Sequence, residues 1–501
     1  MEQIITFINQ QSDLFLFTQA GFWVFFGVVL GIHSFIYKKR VARSTFLFLA
    51  SLFFYFKTGG YFFTLLIIST LTDYTIGLFL GRVTRKIYRK GLLMLSLVIN
   101  LGLLGYFKYT YFIIEILEKI SFTSIERKDF AAVLFNHILG TQFDISSITL
   151  PVGISFFTFQ TISYTFDVYR RQVKPVTNII DFGFYVSFFP QLIAGPIVRA
   201  KTFIPQIYQT VILSERWIWQ AILLIMGGLF KKMVISDYLS VNLVDRVFEH
   251  PITYSGFEVV MAIYGYALQI YCDFSGYTDI ALGAALLLGF RLPTNFNFPY
   301  KAISIQDFWR RWHISLSSWL RDYLYIPLGG SRKGAIRTSI NLLLTMLLGG
   351  LWHGASLKFI IWGGLHGIAL IVNKGLSLFI GRRRSIPLKI VGWFVTFHFV
   401  IITWIIFRVD SLENAEIMMD RIAWSFLAID PRTIVASHPY LYSLIALGFI
   451  MHFLPLKFTR AIKLRFLASP AWLKIIIASF SLYIIILLHQ SDLQPFIYFR
   501  F

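Results

Sequence analysis

Apolar stretches recur along this chain from Leu14 to Leu488, and many approach the ~20 residues that a helix needs to cross a bilayer core. The mean hydropathy is +0.67. Only 14% of residues are charged, and 53 are phenylalanine, which rules out a set of ordinary soluble domains. The runs are continuous rather than alternating, so a β-barrel is excluded too. The expectation is an all-α polytopic membrane protein forming a single integral-membrane domain over residues 1–501. About 11 transmembrane helices are expected, with re-entrant and interfacial helices around a central cavity. The first span, near Leu14–Tyr37, is longer than a signal-peptide core. It ends in Lys38-Lys39-Arg40 without a small-residue cleavage site, so it reads as retained.

The net charge of +21 superficially suits a nucleic-acid ligand. Its distribution does not: the cations sit in loops between apolar spans, as the positive-inside rule and anionic lipid headgroups require. Clusters at Lys38–Arg43, Arg82–Lys90, Arg382–Arg384 and Arg460–Arg465 mark cytoplasmic loops. The first cluster follows one span, which puts the N-terminus outside, and two short spans near Thr45–Phe56 and Tyr61–Leu80 return the chain to the second cluster. A span near Gly91–Phe107 follows. The more polar stretch Glu115–Ile148, with Glu115, Glu118, Glu126 and Asp129, is then extracytoplasmic. Cys272 is the only cysteine, so intrachain disulfides and cysteine-cage metal sites are excluded.

From Leu150 to Gly330, prolines 151, 190, 196, 205, 293, 299 and 327 interrupt the apolar runs, and Gln160, Asp167, Gln191, Gln269, Asp273 and Asp279 lie inside them. Broken helices at membrane depth need cover from protein or a water-filled cavity, so the cavity is expected here. Regular spans resume near Ile386–Phe407, Tyr440–Leu454 and Trp472–Leu488.

Two histidines stand where histidines are costly. His353 lies between the apolar segments Asn341–Gly350 and Leu357–Val372, flanked by Gly349, Gly350 and Gly354. It suits either cross-helix hydrogen bonding or general-base work, for which a near-neutral pKa fits imidazole. His313 falls in Gln306–Tyr323. Read as one helix, that segment puts Trp309, Trp312, His313, Leu316 and Leu320 on one stripe, and Asp307 four residues before Arg311. It is an interfacial Trp/Arg anchor or a cavity wall. His366 is 13 residues beyond His353, roughly 20 Å along an unbroken helix, which favours a packing role. Asp273 and Asp279 are expected to bond to the arginines of 310–321 or to broken backbone, with proton relay as the other reading. No two histidines are three to five residues apart, and no Gly-x-Ser-x-Gly elbow or phosphate-binding Gly-Lys-Ser/Thr loop occurs.

The run from Gln306 through Asp-Phe-Trp-Arg-Arg-Trp-His-Ile-Ser to Gly330, followed by Leu351-Trp-His-Gly354, resembles the membrane-bound O-acyltransferase family. Leu150–Gln160, Phe189–Ile197, Tyr271–Asp279 and the terminal Pro495–Phe501 are similar to its bacterial branch, which includes the membrane subunit of alginate O-acetyltransferase. The resemblance covers nearly the whole chain and is strongest over residues 150–370, the expected catalytic core. It implies transfer of an acyl group, acetyl in the first instance, from a cytosolic acyl-CoA such as acetyl-CoA to a hydroxyl of an exported cell-envelope polysaccharide. It also implies no tightly bound cofactor or metal, location in the bacterial inner membrane, and an extracytoplasmic hydrolase-like partner. His353 matches the family's essential histidine and His313 its second. Substrate binding is expected of Trp309, Arg310, Arg311, Ser317, Arg321, Asp322, Tyr323 and Trp352. Residue chemistry alone also admits a proton-coupled transporter or flippase, or a non-catalytic scaffold. Acyl transfer from a labelled donor separates these from the enzyme.

Overall fold

The computed structural model describes residues 15–125, 127–140, 144–192, 195–380, 385–489 and 494–497. Leu14, Glu126, Ile193, Ala194, Arg382–Arg384 and Tyr498–Phe501, all used in the sequence reading, lie outside the described residues. Among the described residues every regular element is helical, as a bilayer demands of a chain whose backbone groups must find partners internally. Seven helical stretches are long and apolar enough to cross a membrane. The bent pair Pro431–Ser437 and Pro439–Phe453 gives an eighth if it counts as one span. The expected spans near Thr45–Phe56 and Tyr61–Leu80 fall in two helices, Arg40–Gly59 and Phe63–Arg82, which meet at Gly60 (φ +57°) and together make one 43-residue apolar stretch, so this number is lower than the sequence reading of about 11.

The irregular region resolves into two kinds of structure. Residues 179–207 form three short helices, Ile179–Ser187, Phe189–Leu192 and Ala200–Ile207. Where the helix breaks, side chains answer the backbone: the Gln160 and Gln191 amides both donate to the Tyr185 carbonyl, at 2.7 and 2.6 Å. By contrast, Gly256–Leu287 is one unbroken helix of 32 residues, begun by a capping box of Ser255 and Glu258. Gly276 and Gly283 let it press on helix Glu215–Leu229. A Cβ at Gly276 would stand 2.8 Å from the Gly228 carbonyl oxygen.

Its carboxylates meet lysines, not the arginines of 310–321. Asp273 pairs with Lys232 at 2.6 Å and Asp279 with Lys231 at 2.5 Å. Lys232 also reaches Asp237 at 2.7 Å. Buried charge survives only when paired in this way. The second Asp273 oxygen accepts the Ile497 N–H at 2.9 Å, which anchors residues 494–497 in the core. Phe496 is fully buried there, against Tyr277 and Phe274.

Not every cation of the basic clusters faces solvent. Arg43 is buried and donates to the Ile207 carbonyl at 2.6 Å. Arg89 is buried and donates to the carbonyls of Leu80, Val168 and Tyr169. Both satisfy carbonyls at helix C-termini, where positive charge is favoured.

Candidate active site

Helix Gly334–His353 ends at His353, the chain turns through 354–356, and helix Leu357–Ile380 runs back against it. Glycine permits the close approach. A Cβ on Gly350 would lie 2.1 Å from the Phe359 carbonyl oxygen, and one on Gly363 2.3 Å from that of Met346. Because the helix breaks between His353 and Leu357, the unbroken-helix separation of ~20 Å expected between His353 and His366 does not apply. The Trp362 ring touches both, with centroids at 5.3 Å from His353 and 4.6 Å from His366.

The last carbonyls of helix Gly334–His353 have no helical partner of their own. Lys108 and Tyr109 supply one. Lys108 Nζ donates to the Trp352 oxygen at 2.6 Å and the His353 oxygen at 3.1 Å. Tyr109 donates to the Leu351 oxygen at 2.9 Å. Sequence reading missed this pair. The signal was a lysine at the end of an apolar run, Gly91–Phe107, where a charge calls for a named partner.

His313 is fully buried and does not lie inside a helix. The expected single helix over Gln306–Tyr323 is instead Ile305–Trp309, a turn, Ile314–Leu320 and a π-helical segment Arg321–Tyr325. The break is at His313 itself, whose φ is +42°, in the left-handed region. Trp352 bridges the two histidines, with centroids 5.9 Å from His313 and 5.1 Å from His353. His313, Trp352, His353, Trp362 and His366 therefore form one buried chain of rings. His366 takes a defined tautomer. Thr403 Oγ1 gives its proton to the Val400 carbonyl, so it accepts from His366 Nε2 at 3.0 Å. Nδ1 of His366 is then a buried lone pair with no hydrogen-bond partner among the described residues, and the indole N–H groups of Trp309 and Trp362 likewise lack one. Buried polar atoms without partners are uncommon in a core, and here they gather around the histidine cluster.

A cleft of about 570 Å³ leads toward this cluster. Trp309, Arg310, Ser317 and Arg321 of the expected substrate-binding set line it, with Lys374 and Met346 from the helical hairpin. Trp309 forms its link to the histidines, 5.3 Å from His366 and 5.7 Å from Trp362. The other expected residues are elsewhere. Arg311 makes the anticipated ion pair with Asp307 at 2.9 Å. Asp322 is held by Arg199 at 2.5 Å and Arg321 at 2.7 Å. Burial alone would raise its pKa, but the hydrogen bonds from Arg321 and Arg199 keep it below the usual carboxylate range. Tyr323 donates to Asp167 at 2.8 Å. Trp352 packs with Phe156 and Phe159, the latter stacked on Trp319 at 3.8 Å.

The model of the membrane-bound O-acyltransferase family matches residues 62–413. A peptidoglycan O-acetyltransferase of Helicobacter pylori is 37% identical over 437 residues, covering 82% of this chain and 78% of that protein. A probable alginate O-acetylase, AlgI, of Pseudomonas aeruginosa is 42% identical over 409 residues, covering 81% and 72%. A teichoic acid D-alanyltransferase of Bacillus subtilis is 29% identical over 277 residues, covering 51% and 68%. With a family match of that extent and relatives that similar over most of its length, this multi-pass chain belongs to the membrane-bound O-acyltransferase family and is an acyltransferase.

Proposed function

We propose that the protein transfers an acetyl group from acetyl-CoA, entering from the cytosol, to a hydroxyl of an exported cell-envelope polysaccharide, from the bacterial inner membrane. An extracytoplasmic transferase partner completes delivery to the polymer. The observation that carries this reading is the cleft. Arg310, Arg321 and Lys374 suit a phosphate-bearing donor, and its Trp309 wall abuts the histidine cluster. Ser331 and Ser377 of the cleft lie near the start of helix Gly334–His353 and the end of helix Leu357–Ile380, and the basic residues Arg332, Lys333 and Arg337 at the first of these suit the cytoplasmic side by the positive-inside rule. The names of the relatives, a peptidoglycan O-acetyltransferase and a probable alginate O-acetylase, support an exported glycan as the acceptor.

In this reading His353 takes the proton from the acceptor hydroxyl as its oxygen attacks the thioester carbonyl. The C–S bond breaks, and the proton returns to the leaving thiolate. His313 orients the substrate or stabilises the oxyanion. Residues 150–370 are the catalytic core. The test is transfer from labelled acetyl-CoA to a cell-envelope glycan by membranes carrying the extracytoplasmic partner together with the wild-type protein or with His353→Ala at equal membrane abundance. Removing a general base lowers the rate by ~10²–10⁴. Activity of His353→Ala within about threefold of wild type would end the assignment. Proton-coupled uptake into liposomes without ester formation would point to a transporter instead.

A further inference from the structure

The left-handed turn at His313 is shaped by a segment far from it in sequence. The first N–H groups of any helix have no intrahelical acceptor, and the residue before the helix ordinarily supplies one from its own side chain. His313 occupies that position ahead of helix Ile314–Leu320 and makes no such side-chain hydrogen bond. Asn295 does the work. Its backbone carbonyl accepts the Ile314 N–H at 2.9 Å, and its Oδ1 accepts the Ser315 N–H at 3.2 Å. Two residues on, the Asn297 N–H donates to the Arg311 carbonyl at 3.0 Å, so the loop also holds the entry to the turn. Between them Phe296 packs on Trp312 at 5.1 Å, and on Phe274, whose ring lies 4.6 Å from His313. Asn295 is fully buried. A non-glycine residue at this φ persists only when its surroundings over-determine it.

We propose that Asn295 is a positioning residue for His313: by capping the following helix from a separate loop, it fixes the left-handed backbone that aims the imidazole into the ring cluster. This rests on the catalytic reading of His313 given above. Only the Oδ1 of Asn295 is engaged, and its Nδ2 has no hydrogen-bond partner among the described residues. Aspartate keeps the capping oxygen, but the cavity of about 300 Å³ beside it is lined by Lys231 and Asp279, which already pair with each other, so the added charge is a cost of that variant.

The test is steady-state acetyl transfer by reconstituted full-length enzyme, with Asn295→Ala and Asn295→Asp made in the wild-type and His313→Gln backgrounds. Asn295→Ala is expected to lower kcat by ~10–100-fold, the scale of a small misplacement, with donor KM within about twofold. Asn295→Asp, which keeps the capping oxygen, should lose less turnover than Asn295→Ala. In the His313→Gln background, Asn295→Ala should change kcat by less than about twofold, because the residue it acts through is already gone. Asn295→Leu, closer in volume, replaces alanine if the loop collapses. Unchanged kcat in the wild-type background or an equal loss in both backgrounds would each overturn the proposal. If His313→Gln itself keeps full turnover, the catalytic reading of His313 has failed and this inference falls with it.

Discussion

Lys108 Nζ donates to the backbone carbonyl of His353 at 3.1 Å, so a cation from the helical stretch Lys86–Ser121 holds the very residue that ends helix Gly334–His353. The same ammonium reaches the Trp352 carbonyl at 2.6 Å. It acts on the histidine through the backbone. Lys108→Met is therefore expected to lower turnover by about tenfold or more, through a displaced imidazole, while leaving donor KM little changed. Loss of charge-assisted hydrogen bonds should also cost roughly 1.5–3 kcal/mol of stability. Lys108→Arg should recover part of both. Steady-state kinetics and thermal unfolding in detergent check this, and a fully active, fully stable Lys108→Met would remove Lys108 from the site.

His313 divides two roles that kinetics can separate. If it stabilises charge developing in the transition state, His313→Gln keeps polarity but loses the cationic form. Loss of one such donor costs on the order of 10²–10³ in kcat. The expected outcome is a large fall in kcat with a small change in apparent donor affinity, the mark of an interaction made only in the transition state. A raised KM with unchanged kcat would move His313 to donor binding. No change in either would leave it as a packing residue.

The membrane class was legible because continuous apolar runs admit one solution in lipid. The two histidines were legible because each is costly where it stands. The shape around them was not. Residues 306–323 carry helical spacing with no glycine or proline near 310–313, so nothing local announces the break at His313. Hydrogen bonds from Asn295 and Asn297 stabilise that turn, and the Ile197 N–H holds Ser315 Oγ from another segment at 3.0 Å. The proximity of His366 to His353 follows from a chain reversal just after Gly354, a residue that local pattern reads only as a close-packing glycine. The partners of Asp273 and Asp279 lie 41 and 48 residues upstream, beyond any periodicity.

The cleft makes a claim about donor charge. Arg310 and Lys374 approach it from different helical segments, and no ion pair engages either among the described residues. Arg310→Glu with Lys374→Glu should raise KM for acetyl-CoA several-fold, with a smaller change in kcat, because the phosphates lie far from the reacting carbonyl. The effect should shrink as salt rises, since exposed charges are screened over ~10 Å at 0.1 M ionic strength. The measurement is donor titration at low and high salt. Unaltered KM in the double variant would place the donor outside this cleft.

Orientation is the condition on which the donor's side depends. Arg43 and Arg89 are buried in the folded protein. Lys38, Lys39 and Arg40 remain exposed in the first cluster, and Arg82, Arg85, Lys86 and Lys90 in the second. By the positive-inside rule that excess predicts both loops in the cytoplasm and the start of the first span outside. Tyr88, within the second cluster, is 58% exposed and suits a reporter. Cys272 is buried, and Cys272→Ser removes the chain's only native thiol. In that background Tyr88→Cys should resist an impermeant thiol reagent in spheroplasts and label once the membrane is permeabilised. Ready labelling before permeabilisation would invert the topology. The cleft of Arg310 and Lys374 would then open away from the cytosol, and a cytosolic thioester would have no route to His353 through it.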